Sequence, residues 1–308
     1  MVLHLVAFIE YLFHAMFSLM LFSNVFVMYP KAQVSAERIE EVLTSETIIK
    51  DPVQGVTETN NEGTLVFNDV TFTYPDGEEP VIKNVSFKAK KGETIAFIGS
   101  TGSGKSTLIN LIPRFYDVTG GSIKIDGIDV RDFKIKSLRQ KIGFIRQKTL
   151  LFTGSIKSNI KFGKQEASHD EVVESAKTAQ AYDFISKKEL KFDEPIGEGG
   201  SNVSGGQKQR LSIARALVRK PEIYIFDDSF SALDFKTDAI LRKALKKETT
   251  DAIVLIVAQR IGSIMEADKI IVLDEGKVVG CGKHKELLKS CSVYKEIALS
   301  QLTEEELA

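Results

Sequence analysis

The chain has 308 residues, and its 41 Lys and Arg against 42 Asp and Glu leave a formal net charge of −1. That balance supplies no basic footprint, so nucleic acid is not an expected partner. The two cysteines, Cys281 and Cys291, have neither metal-ligand nor disulfide-framework spacing, as suits a reduced cytosolic domain.

The N-terminus has a different composition. Between Val2 and Tyr29 the only Asp, Glu, Lys or Arg is Glu10, and the nineteen residues from Tyr11 to Tyr29 carry none. At about 1.5 Å per residue, a helix of this length roughly spans a bilayer core. No basic segment precedes the apolar run, which disfavours a secretory signal. Lys31 and Arg38 follow it and favour a cytoplasmic location for everything downstream. Glu10, with His4 and His14 on the same segment, falls near the helix start, where snorkelling to the interface is simpler than lining a substrate path. Residues 1–30 are expected to form a transmembrane helix, and 31–61 a charged linker, helical and then loose. Residues 62–308 are expected to form one α/β domain with an inserted subdomain.

Thr64 to Ile98 reads as strands, ending in the apolar run Thr94 to Ile98. Directly after it come Gly99, Ser100, Thr101, Gly102, Ser103, Gly104, Lys105, Ser106 and Thr107, matching G-x-x-x-x-G-K-[ST]. Ser106 to Ile112 then reads as a helix with Leu108 and Ile112 on one face. A glycine-rich strand-to-helix turn gathers free N–H groups and the positive end of a helix dipole at one point, an anion site. In such loops the lysine reaches the β- and γ-phosphates and the Ser ligates Mg²⁺, so ATP and Mg²⁺ are the expected ligands.

Farther along, Ser168 to Glu171 has capping-box spacing, which makes His169 a surface residue at a helix start. Val203, Ser204, Gly205, Gly206 and Gln207 form a second glycine-rich turn before a helix-favouring run, Lys208 to Val218, another anion site by the same physics. Ile223 to Phe226 is an apolar run ending in Asp227, a strand that delivers a carboxylate to its tip. Ile253 to Val257 and Ile270 to Leu273 read as further parallel core strands, and Glu286 to Leu302 as a closing helix.

These motifs, in this order, resemble the nucleotide-binding half of an ATP-binding cassette (ABC) exporter, over nearly the whole chain. Ser204, Gly205, Gly206 and Gln207 resemble the L-S-G-G-Q signature, with Val203 in place of Leu, and Lys208 to Arg210 follow as expected. Asp227 to Asp234 resembles Walker B, whose Asp holds Mg²⁺, running into the D-loop with Asp234. Gln147 sits where the Q-loop glutamine belongs, although Arg146 precedes it where Pro is common. Tyr74 sits at the aromatic that stacks on adenine. Gly197 to Gly200 resembles the exporter-type loop that faces the membrane domain. The resemblance implies a RecA-like P-loop core, an antiparallel β subdomain and a helical subdomain at about 148–211. One transmembrane helix, the last of an exporter membrane domain, would precede them. It also implies that Ser106, Gln147 and Asp227 surround Mg²⁺, and that each ATP is sandwiched between one cassette's P-loop and another's signature.

Two departures touch hydrolysis. Asp228 stands where a catalytic Glu is common, and Gln259 where the switch His is expected. The shorter carboxylate is pulled back, and about 1 Å of misplacement can cost about 10²-fold in rate. Gln cannot carry the positive charge of His. The catalytic set Asp228, Gln259 and Gln147 is therefore expected to hydrolyse weakly, as in the degenerate-site subunit of a heterodimeric exporter. The expected partners are a second ABC half-transporter subunit, the cell membrane with the cassette on its cytoplasmic side, and a small hydrophobic or peptide substrate. Half-transporters of this type carry six helices against one here, so a C-terminal fragment is expected. The alternatives are a soluble cassette of the translation-factor or DNA-repair kind, or a non-functional gene fragment.

Overall fold

A computed structural model describes residues 1–60, 62–303 and 305. Asn61, the expected end of the linker, and the last positions of the expected 62–308 domain (304 and 306–308) lie outside the described residues. The chain divides into two compact units, Met1–Lys50 and Asp51–Ala308.

The first unit is one helix, α1 (Val2–Thr44), 43 residues long with none of them buried. At 1.5 Å per residue it extends about 65 Å. It is the one described helix long and apolar enough to cross a membrane. Pro30 lies inside the helix, which runs on through the expected helical start of the linker to Thr44. A proline removes one backbone bond, and side-chain bonds support the turns beyond it. Gln33 Nε2 donates to Glu37 Oε1 at 3.0 Å and Ser35 Oγ to the Lys31 carbonyl at 2.9 Å. In the apolar half, Ser18 Oγ donates to the His14 carbonyl at 2.8 Å, so its hydroxyl is satisfied without water.

The second unit begins before the expected residue 62. The expected loose end of the linker is held, with the Val56 N–H donating to the Asp132 carbonyl at 2.8 Å and Asp51 accepting from the Ile135 N–H at 2.7 Å. Next come β1 (Thr64–Phe72), β2 (Ile82–Lys90), β3 (Thr94–Ile98), α2 (Lys105–Leu111), β4 (Gly120–Ile125) and β5 (Ile128–Asp129). Strands β1, β2, β4 and β5 make an antiparallel sheet in the order β2-β1-β4-β5. Its inward residues Leu65, Phe67, Val85 and Phe87 share a core with Leu108 and Ile109 of α2.

A helical subdomain follows α3 (Ile135–Gln140) and β6 (Ile142–Ile145). It comprises the short pair β7 (Gly154–Ser155) and β8 (Pro195–Ile196), with α4 (Ile156–Lys161), α5 (His169–Thr178), α6 (Tyr182–Ser186) and α7 (Gly205–Leu217). Ser168 and Glu171 close the capping box, with His169 as the first residue of α5.

The chain then returns to the core through β9 (Ile223–Asp227), α8 (Phe235–Glu248), β10 (Ile253–Val257), β11 (Lys269–Asp274), β12 (Lys277–Gly282), α9 (His284–Ser290) and α10 (Ser292–Leu299). The main sheet has the order β12-β11-β3-β10-β9-β6. All its pairings are parallel except that of the edge strand β12. All five residues of β10 are buried, the unbroken apolar pattern of a parallel strand covered on both faces.

The single closing helix expected over 286–302 is corrected to two. Cys291 is extended between them (φ −126°, ψ 108°) and buried. A Cβ on Gly280 would come within 2.8 Å of its sulfur, so the helix breaks where Cys291 turns in against the bare backbone of β12.

Arg215 ties the helical subdomain together. It donates to the Asn159 carbonyl at 2.9 Å, to Asn159 Oδ1 at 2.8 Å and to the Leu150 carbonyl at 3.0 Å. Its guanidinium also lies 5.2 Å from the Phe152 ring centroid. Burial pushes its pKa down, a cost these three acceptors offset. Replacing Arg215 with Ala is expected to destabilise the second unit by roughly 2–4 kcal/mol in urea titration, because buried acceptors lose charged donors. A loss below about 0.5 kcal/mol would show that Arg215 is a surface residue in effect.

Candidate nucleotide-binding site

Four of the motif segments follow the C-terminal ends of neighbouring parallel strands, Gly99 after β3, Gln259 after β10, Asp228 after β9 and Gln147 after β6. Gln147, Asp228 and Gln259 line a cavity of about 400 Å³ with Thr101, Gly102, Gly104, Lys105, Ser106, Thr107 and Asp227 on its walls. Val81 and Val257 complete the lining, and neither carries a motif.

The P-loop keeps its shape because two of its glycines have no room for a side chain. A Cβ on Gly99 would meet the Leu273 carbonyl oxygen at 2.0 Å, and one on Gly104 (φ +95°) would meet Ile82 Cδ1 at 2.7 Å. Gly104 caps α2 in the left-handed conformation, and the first helical bond runs from the Leu108 N–H to its carbonyl at 2.8 Å. The N–H groups of Lys105, Ser106 and Thr107 therefore have no acceptor within the helix. The helix starts one residue before the expected Ser106.

Lys105 is folded over its own loop. Its Nζ donates to the Gly99 carbonyl at 2.9 Å, the Ser100 carbonyl at 2.7 Å and Ser103 Oγ at 3.3 Å. Burial lowers its pKa, and the nearby carboxylates of Asp228 and Asp227 oppose that shift. The cation is thus held in the cavity wall by neutral oxygens that a phosphate can replace.

Ser106 Oγ donates to Asp227 Oδ1 at 3.0 Å, which joins the P-loop to the tip of β9. Asp228 is more constrained. Both Gln147 and Gln259 donate their Nε2 to the same oxygen, Asp228 Oδ2, at 2.8 and 2.9 Å. Its N–H donates to the Val257 carbonyl at 2.9 Å, and its carbonyl accepts from Ser231 Oγ at 2.8 Å. Burial pushes the pKa of both Asp227 and Asp228 above the ordinary carboxylate value.

The donor set fits a hard cation shared with phosphate. Among the described residues, no three His, Cys, Asp or Glu side chains gather to hold a metal. A Ser hydroxyl, one carboxylate and the Gln147 amide oxygen leave the remaining positions of Mg²⁺ to phosphate oxygens and water.

Tyr74 stands in the turn after β1, and its hydroxyl lies 2.9 Å from Thr107 Oγ1. Tyr116 packs edge-on against it at 5.2 Å, a neighbour with no motif to announce it.

The signature residues lie apart from this cavity. Ser204 and Gln207 cap α7 reciprocally, Gln207 N–H to Ser204 Oγ at 3.3 Å and Ser204 N–H to Gln207 Oε1 at 3.0 Å. This box makes α7 begin at Gly205, ahead of the expected Lys208. A Cβ on Gly205 would meet nothing within 4 Å, whereas one on Gly206 would approach the Ala232 carbonyl at 3.3 Å. Asp234 caps α8 by accepting from the Thr237 N–H at 3.0 Å. Sequence reasoning missed Gln209, which is buried, donates to the Arg146 carbonyl at 3.3 Å and hydrogen-bonds the Thr149 hydroxyl.

Comparison with known proteins decides the family. Residues 82–231 match the family model described as ABC transporter. The chain belongs to the ABC transporter family. It is 42% identical over 306 residues to an uncharacterized ABC transporter ATP-binding protein of Mycobacterium tuberculosis, covering 96% of this chain and 51% of that protein. A Bacillus subtilis relative described in the same words is 43% identical over 300 residues, covering 97% and 52%. A solved bacterial Atm1-family ABC exporter with ATP bound superposes with a TM-score of 0.82 at 32% identity, covering 89% of this chain and 48% of that one. The chain therefore spans about half the length of the relatives it matches.

The two carboxylates give a pH signature. A folded-state pKa raised above the unfolded value means that the native state binds the proton more tightly. Stability is then greatest at low pH and falls as pH rises from the ordinary carboxylate value through the folded pKa. In nucleotide-free protein, Asp228→Asn is expected to melt above wild type at pH 7.5, with a gap that narrows at about pH 4. Thermal denaturation at the two pH values checks this, and a pH-independent gap contradicts it.

Proposed function

We propose that the chain is the ATP-binding subunit of an ABC-type exporter, driving efflux of a hydrophobic or peptidic substrate by binding and hydrolysing ATP at a cassette dimer. The observation that carries the ATP-binding part is the convergence of P-loop, Asp227, Gln147 and Gln259 on one cavity with Lys105 in its wall. The apolar helix α1 supports a membrane protein, and the fold shared with a bacterial exporter supports export over a soluble cassette. We place the second unit on the cytoplasmic side.

In this reading the N–H groups at the start of α2 and the Lys105 ammonium take the β- and γ-phosphates, and Tyr74 takes the adenine face. Ser106, Asp227 and Gln147 hold Mg²⁺, which bridges phosphate oxygens and neutralises developing charge. Asp228 orients the attacking water, and Gln259 faces the γ-phosphate. Asp228 serves poorly, because one of its two oxygens already accepts two amide bonds and its side chain is a methylene shorter than Glu.

The signature residues support the sandwich. With nothing of this chain within 4 Å of a Gly205 Cβ, glycine there leaves space for a group from outside the chain. We infer that the group is the γ-phosphate of ATP held by a second cassette. That cassette carries the stronger hydrolytic residues and forms a heterodimer with this chain.

Lys105→Ala should weaken binding of a fluorescent ATP analogue about 10- to 100-fold, the worth of a charge-assisted hydrogen bond, in a protein that still folds. Unchanged affinity would remove Lys105 from the site.

The assembled transporter offers a second test. Gly205→Leu should abolish hydrolysis by filling the space over the partner's nucleotide, whereas Asp228→Asn should lower it far less. Equal losses from the two substitutions would mean two equivalent sites and would defeat the heterodimer.

A further inference from the structure

The second unit has an arm reaching from its C-terminal helices to the nucleotide cavity. Helix α10 is anchored by Tyr294 and Ala298, both fully buried. The turn beyond it is held by the Gln301 and Leu302 N–H groups, which donate to the Ala298 carbonyl at 3.1 and 3.0 Å. From that turn the Gln301 side chain makes two bonds to a single loop. Its Oε1 accepts from the Ile261 N–H at 2.9 Å, and its Nε2 donates to the Gln259 carbonyl at 2.7 Å. One amide thus bridges the backbone on both sides of Arg260, as a neighbouring strand would.

What the bridge holds is the loop that presents Gln259. Gln259 Nε2 donates to Asp228 Oδ2 at 2.9 Å, and both residues line the cavity. Arg260, fixed between the two bonds, donates to the Ser231 carbonyl at 3.3 Å and lies over the Phe235 ring at 5.3 Å. Hydrogen bonds therefore run without a gap from the end of α10 through Gln301 to the backbone of residue 259, and from its side chain to Asp228. A network with this continuity can set a side chain's position from outside the site.

We propose that Gln301 is a positioning residue of the nucleotide site, clamping the loop backbone so that Gln259 stays on Asp228. The proposal rests on the reading of the cavity as the ATP site. It assigns a role to the C-terminal segment that no motif marks. Only an uncharged amide of this length serves both partners. A carboxylate at 301 can accept from Ile261 but cannot donate to the Gln259 carbonyl. Asparagine falls one carbon short.

The test uses the full chain in detergent, with Gln301→Ala, Gln301→Glu and Gln301→Asn compared against wild type. Amide exchange at Ile261 should accelerate at least about tenfold in Gln301→Ala and Gln301→Asn, whose acceptor is lost or displaced, and less in Gln301→Glu, whose carboxylate still accepts from that N–H. The side-chain amide signal of Gln259 in ¹⁵N-glutamine-labelled protein supplies the decisive readout. In wild type, Asp228→Asn should move that signal, because it neutralises the acceptor. In the Gln301→Ala background the same substitution should leave it nearly unmoved.

A Gln259 signal that still responds fully to Asp228→Asn without Gln301 overturns the proposal, even if Ile261 exchanges faster. Unchanged exchange at Ile261 overturns it as well. Binding of the fluorescent ATP analogue should stay within twofold of wild type, because the P-loop is untouched. If wild type binds no analogue, the ATP reading fails and the positioning role falls with it. If wild type binds and the Gln259 signal ignores Gln301, the positioning role alone fails.

Discussion

The rest of the site depends on the parallel pairing of β3, β10, β9 and β6. Parallel strands bring their C-terminal ends to one edge, and in open α/β sheets ligands collect in the crevice outside those ends. Here that edge receives the P-loop, Gln259, Asp227 with Asp228, and Gln147, from positions spread over 160 residues of chain. Backbone pairing fixes the register, with Val257 opposite both Phe97 and Asp227. A one-residue slip of β9 would turn Asp227 to the opposite face and separate it from Ser106. The apolar side chains that cover both faces of the sheet are therefore also what hold the polar groups within hydrogen-bonding distance.

Much of this was legible in the sequence, for a physical reason. Strands buried on both faces must be apolar throughout, so Ile223 to Phe226 and Ile253 to Val257 stand out as short runs. A carboxylate at the end of such a run, as at Asp227, can only sit at a strand tip. The P-loop was legible because few residues other than Gly can occupy positions 99 and 104. The breaks were harder to read. The interruption at Cys291 depends on Gly280, which lies on a different element. Gln301 reaching Gln259, Gln209 reaching Arg146 and Tyr116 against Tyr74 are tertiary contacts between residues with no common period or spacing. No local pattern encodes them.

The geometry around Asp228 gives the two sequence departures a shared explanation. A longer acid at 228 would project its carboxylate farther into the cavity, and a histidine at 259 would present a ring in place of a flexible amide. With Asp and Gln the two side chains close on each other at 2.9 Å, and Gln147 joins them at 2.8 Å. The carboxylate is then satisfied by the protein's own donors.

Gln209 extends this reasoning to the second glycine-rich turn. It sits on α7, one turn along from Ser204, yet its side chain is bonded to Arg146 and Thr149, which flank Gln147. The helix that presents the signature is therefore tied to the loop that presents Gln147 to Asp228. A buried amide with both ends satisfied cannot shift without leaving polar groups unpaired, at a cost of about 1–3 kcal/mol. A displacement of the loop backbone around Gln147 must then either break that tie or carry α7 with it. The loop that carries Gln147 and the helix that begins at Gly205 are thus joined through Gln209.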